Sequence, residues 1–176
     1  MTWLIVAVAF LAGFLAWRMA IAAMVPKPGD AAPEFTLPDQ GSAARSLADF
    51  HDKWLVLYFY PRDDTPGCTV QACAFRDAWQ MLTALGAEVV GVSVDNVARH
   101  FAFAKKFELP FPLLVDAGGV VASRYGSALN LGVFKIARRN TFLIDPQGRI
   151  ARVYVSANAS RNSQQVIEDL QQLKKS

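Results

Sequence analysis

Both cysteines of the chain, Cys68 and Cys73, fall in one nine-residue stretch, TPGCTVQAC, at 65–73. The nucleophilic form of cysteine is the thiolate, and the residues just before Cys68 are of the kind that favour it. Thr65 suits the capping position of a helix. Pro66 suits the first helical position, where its missing amide hydrogen leaves nothing unpaired. Cys68 then falls in the first helical turn, facing free backbone N–H groups and the positive end of the helix dipole. An inert buried cysteine needs no such setting, so the pattern marks Cys68 as a nucleophile. Asp63 and Asp64 complicate this, because carboxylates beside Cys68 oppose its ionisation. They are expected to be turn residues facing water.

Cys73 lies five residues on. In a regular helix that spacing places the two residues about 140° apart around the axis and roughly 8.6 Å apart between Cα atoms. A disulfide needs less than about 7 Å. A bond between them therefore requires the first helical turns to unwind, which disfavours a static structural disulfide. Zinc is disfavoured too, because this spacing is no C-x-x-C pair and the only histidines are His51 and His100. A disulfide formed after a conformational step fits best.

The elements around this stretch alternate. WLVLYFY (54–60) is an unbroken apolar run of strand length, as expected for a strand covered on both faces, and EVVGVSV (88–94) and NTFLID (140–145) repeat the type. Between the first two, Val70, Ala74, Phe75, Ala78, Leu82 and Leu85 follow a helical period until Gly86. Further helices are predicted at 97–107, 119–125 and 163–174. A short strand fits 112–116, and a hairpin partner at 150–155 follows the turn Pro146-Gln147-Gly148. The reading is an α/β fold with a mixed central sheet flanked by helices.

Residues 1–25, MTWLIVAVAFLAGFLAWRMAIAAMV, carry Arg18 as their one charged side chain. As a helix they would measure roughly 37 Å, enough to cross a hydrocarbon core of about 30 Å. They are read as a retained single-pass inner-membrane anchor. Arg18 and Lys27 both follow the apolar run, which places the folded domain in the cytoplasm, the periplasm being the alternative. A cleaved signal peptide is the rival, since Ala20-Ile21-Ala22 offers a cleavage site. Residues 26–35, with three prolines and a glycine, are an extended linker leading into the domain, which occupies 36–176. With 18 basic and 15 acidic residues the net charge is +3, and the dispersed basic residues give no nucleic-acid footprint.

YFYPRDDTPGCTVQAC, followed by RNTFLID, resembles the peroxiredoxins, and the C-x4-C spacing is similar to their bacterioferritin-comigratory, or Q-type, group. The motif P-x-x-x-T-x-x-C falls on Pro61, Thr65 and Cys68. The resemblance implies a thioredoxin-like fold. It also implies reduction of hydrogen peroxide and organic hydroperoxides with neither metal nor organic cofactor, and recycling by a thioredoxin-type dithiol in a monomer. On it Cys68 is the peroxidatic cysteine, Cys73 the resolving cysteine, Thr65 the peroxide-orienting residue and Arg139 the active-site arginine, with Pro61, Pro66 and Gly67 lining the substrate pocket. Arg138 competes with Arg139, because alternating strand side chains allow only one to face the site; the family motif selects Arg139 and leaves Arg138 as a solvated strand-edge charge. Two rivals belong to other classes: a membrane-tethered thioredoxin-like copper chaperone, which would recruit a histidine such as His100, and a non-catalytic interaction module on the same fold. Neither accounts for Thr65 and Arg139 together with the cysteines.

Overall fold

The computed structural model describes residues 25–132 and 134–175. Residues 1–24, nearly all of the expected anchor, lie outside them. Among the described residues no helix is long and apolar enough to cross a membrane.

In chain order the elements are β1 (Thr36–Pro38), β2 (Ala44–Ser46), a 3-10 helix (Leu47–Phe50), β3 (Trp54–Phe59), α1 (Pro66–Ala84) and β4 (Ala87–Ser93). There follow α2 (Val97–Lys106), β5 (Leu113–Val115), α3 (Val120–Arg124), β6 (Ala128–Leu131), β7 (Phe134–Ala137), β8 (Thr141–Ile144), β9 (Ile150–Tyr154) and α4 (Asn162–Leu173). The main sheet has the order β5-β4-β3-β8-β9. β3, β4 and β5 run parallel through the crossover helices α1 and α2, whereas β8 pairs antiparallel with β3 and β9 antiparallel with β8. The sheet is therefore mixed, as the late hairpin suggested.

The apolar run of β3 serves two cores at once. Leu55, Leu57 and Phe59 face Phe35, Phe50, Val121 and Tyr125 on one side of the sheet. Val56, Tyr58 and Tyr60 face the other, beneath Phe75 of α1, Phe103 of α2 and Val166 of α4. Each fully buried side chain of this kind contributes about 1.5–3 kcal/mol, which is why the strand shows no polar alternation. Gly91 lies opposite Tyr58 in the register. A Cβ there would fall 2.7 Å from the Tyr58 hydroxyl, so the missing side chain makes room for the ring. Tyr58 in turn stacks on Phe75 at 4.9 Å and gives α1 its floor.

Three features depart from the sequence reading. The buried stripe of α1 runs through Cys68, Gln71, Ala72, Phe75 and Leu82, and Val70 is exposed; the helix turns its cysteine edge, and not Val70, to the sheet. Residues 26–35 are stitched onto the start of β9, since Gly29 N and Ala32 N donate to Ile150 O and Gly148 O while Ile150 N donates to Asp30 O. Ala32 and Phe35 are buried in the second core. The β1–β2 and β6–β7 hairpins were not foreseen.

Candidate active site

The site is built where β3 gives way to α1. Tyr60 N donates to Val92 O at 3.1 Å, carrying the sheet one residue past β3. The chain then reverses with Asp64 at φ 58°, a left-handed conformation that aspartate tolerates better than most residues. Thr65 has the extended backbone of a helix cap, and Thr69 N donates to its carbonyl at 2.9 Å. Its side chain departs from the expectation. No side chain caps α1, and the Thr65 hydroxyl donates instead to Arg62 O at 3.0 Å. With its hydrogen committed there, the hydroxyl oxygen keeps lone pairs for a further donor.

Cys68 is the third residue of α1 and 1% exposed, so its sulfur sits at the positive end of the helix with almost no water. Arg139 Nη2 donates to Cys68 Sγ at 3.4 Å. Its Nη1 donates to Gly67 O at 3.2 Å and to Gln71 Oε1 at 2.8 Å. A Cβ on Gly67 would lie 3.0 Å from Nη2, so the missing side chain lets the guanidinium lie against the helix. Pro61 is half-buried and Pro66 exposed, at the two ends of the loop.

Gln71 was not picked out from the sequence, yet it is fully buried and fixes the arginine. A guanidinium only donates, so Gln71 must offer Oε1 to Arg139 and Nε2 to its other neighbour, Asn162 Oδ1, at 3.0 Å. Asn162 Oδ1 also accepts from Thr141 Oγ1 at 2.7 Å, and Asn162 Nδ2 is left buried without a partner. The direction of this chain of amides is thus set from Arg139. A polar residue three positions after Cys68, on its side of the helix, was the available signal; the partner, Asn162, is 91 residues away.

Arg138 and Arg139 lie in the link 138–140 between β7 and β8, not within a strand. Alternation of strand faces therefore does not separate them, and Arg138 is half-buried, its Nε enclosed without a hydrogen-bond partner. Arg139 is the one that reaches Cys68. Cys73 is half-buried on the same unbroken helix, and both thiols are free.

Asp64 is exposed and paired with Lys106 at 2.7 Å, as a surface turn residue should be. Asp63 is not. It is 2% exposed, accepts from the Tyr60 hydroxyl at 2.7 Å and meets His100 Nδ1 at 2.7 Å. The sequence could not show this, because His100 arrives from α2, 37 residues on. His100 Nε2 contacts Leu114 O at 3.1 Å, so both ring nitrogens are committed away from the cysteines.

Residues 28–153 match the model of the AhpC/TSA family. The chain belongs to the AhpC/TSA family. Over 143 residues it is 42% identical to the putative peroxiredoxin bcp of Coxiella burnetii, an alignment covering 79% of this chain and 95% of that protein. It is 47% identical over 126 residues to the chloroplastic peroxiredoxin Q of Triticum aestivum, covering 72% of this chain; the match spans 58% of the wheat protein's length. The crystal structure of peroxidoxin BcpB from Mycobacterium tuberculosis superimposes with a TM-score of 0.81 at 34% identity, over 84% of this chain and 98% of that one. Within the AhpC/TSA family the chain therefore falls in the peroxiredoxin Q/BCP group, and its mixed sheet with flanking helices is the thioredoxin-like arrangement.

Proposed function

We propose that the chain is a thiol-dependent peroxidase that reduces hydrogen peroxide and organic hydroperoxides through Cys68. The observation that carries this is the Arg139 guanidinium 3.4 Å from Cys68 Sγ at the first turn of α1. Cationic donor and helix end together favour the thiolate. In the first step the thiolate attacks one peroxide oxygen. The S–O bond forms, the O–O bond breaks, and water or an alcohol leaves after taking a proton, with Cys68 now a sulfenic acid. Thr65, whose hydroxyl hydrogen is held by Arg62 O, presents an acceptor to the peroxide O–H and so orients it. Arg139 stabilises the charge growing on the departing oxygen. Pro61, Pro66 and Gly67 frame the approach.

In the second step the Cys73 thiol condenses with the sulfenic acid, forming the S–S bond and releasing water. A thioredoxin-type dithiol then restores both thiols by exchange. Steady-state peroxide consumption with such a dithiol tests the reading: turnover that disappears in Cys68→Ser is expected, and a parent chain that consumes no peroxide would refute it. The copper-chaperone alternative loses its support, because His100 is held by Asp63 and Leu114.

Residues 1–25 we propose as a membrane anchor that leaves a monomeric domain facing the cytoplasm, on the basis of the apolar run and the placement of Arg18 and Lys27. Fractionation should find the intact chain in the inner membrane, its domain shielded from external protease. Mature chains beginning near Ala23 would overturn this.

A further inference from the structure

The pair formed by Asp63 and His100 is buried, lies five residues before Cys68, and takes no part in the steps above. Its hydrogen bonds fix its charge. Leu114 O can only accept, so His100 Nε2 carries a hydrogen. Asp63 Oδ1 accepts from Tyr60, whose hydroxyl is pushed well above its ordinary range by burial and by the neighbouring Tyr58 and Asp63, and so stays protonated. The contact between His100 Nδ1 and Asp63 Oδ2, 2.7 Å, then needs one more proton between the two atoms. Whichever atom holds it, the pair has zero net charge: imidazolium with carboxylate, or imidazole with carboxylic acid.

The other ionic contacts around this loop do not include Asp63. Asp95 meets Arg99 Nε at 3.0 Å and Arg62 Nε at 3.9 Å, and accepts from Asp63 N and Ser93 Oγ. Asp64 is paired with Lys106. Arg139 is taken up by Cys68, Gly67 and Gln71. Among the described residues His100 is the ionic partner that Asp63 contacts. Asp63 stands five residues before Cys68, and Tyr60, whose hydroxyl it holds, packs in the same buried cluster as Cys68.

We propose that His100 is a positioning residue for the peroxide reaction: by holding Asp63 in a net-neutral pair it keeps buried negative charge out of the loop before Cys68. The inference rests on the peroxidase reading for its purpose, though not for its test. A unit negative charge within roughly 10 Å, at an effective dielectric of about 20, disfavours a second anion by about tenfold.

The test is the rate at which iodoacetamide alkylates Cys68 in the reduced full chain, followed peptide by peptide in the mass spectrometer. In His100→Asn the imidazole and the proton it shares with Asp63 are lost, so Asp63 is left without its ionic partner. Alkylation at pH 7 should slow about tenfold relative to the parent. Adding Asp63→Asn removes the charge, and asparagine can still accept from Tyr60 and donate to residue 100. The double variant should return to within about threefold of the parent even where its melting temperature is no higher than that of His100→Asn. A single variant that alkylates like the parent, or a double variant as slow as the single, would overturn the proposal. A parent that alkylates readily yet consumes no peroxide would instead sink the peroxidase reading and leave the electrostatic role standing.

Discussion

Arg139→Met is expected to slow the reaction of Cys68 with peroxide by about a hundredfold or more, whereas Arg138→Met leaves it within about threefold of the parent. The two residues are adjacent and carry the same charge, so any long-range effect of losing a cation is common to both. What differs is contact. Arg139 donates to Cys68 Sγ, Gly67 O and Gln71 Oε1, while Arg138 Nε has no partner. Losing Arg139 removes the donor beside the sulfur and also leaves the buried Gln71 oxygen unpaired, a cost of about 1–3 kcal/mol. Arg139→Lys should recover little, because an ammonium cannot serve sulfur, carbonyl and amide in one planar fork. Stopped-flow mixing of each reduced variant with peroxide reads the rates; equal, small losses from both methionine variants would show that the arginine assignment is wrong.

The second large effect belongs to Cys73. Cys73→Ser should leave the first peroxide reaction within about twofold of the parent, because Cys73 makes no contact that the first step uses. Turnover with a dithiol reductant should collapse, and Cys68 should accumulate as sulfenic and then sulfinic acid as peroxide rises. The reason is geometric. Both cysteines sit on one continuous helix, where a spacing of five residues leaves their Cα atoms roughly 8.6 Å apart, beyond the reach of about 7 Å for a disulfide. Resolution therefore requires the start of α1 to open. Beyond Cys73 the helix is held: Phe75 is fully buried, and Arg76 Nη1 donates to Phe107 O at 3.0 Å. Opening is expected over residues 66–74, which would withdraw Gly67 and Gln71 from Arg139. Mass spectrometry of Cys73→Ser across a peroxide series would decide; a variant that turns over like the parent without sulfinic acid would exclude Cys73 as the resolving residue.

Much of the fold was legible because it depends on local pattern. An apolar run of strand length with no alternation fits a strand covered on both faces, and β3, β4 and β8 lie within a residue or so of where such runs stand. Thr65 and Pro66 located the start of α1, and Gly86, at φ 77°, marks its end. The short hairpins were not legible, since strands such as TLP and ARS are too brief to show a period and gain their stability from pairing. The site divides in the same way. Cys68 is visible through its helix, a local signal. Gln71 and Asp63 looked like an ordinary helical residue and an ordinary turn residue, because what makes them matter comes from Asn162 and His100, far along the chain. Thr65 shows the converse: its position was clear, but its hydroxyl turns to Arg62 O rather than to the helix amides.

The central claim, that Cys68 begins the reaction and Cys73 ends it, is tested most directly by giving the reduced chain one equivalent of hydrogen peroxide and following it by mass spectrometry and amide hydrogen exchange. The account predicts a Cys68–Cys73 bond together with faster exchange over residues 69–74, while the later turns of α1 keep their protection. Two intact thiols with the peroxide unconsumed would contradict it, as would a disulfide formed with the protection of the first helical turns unchanged.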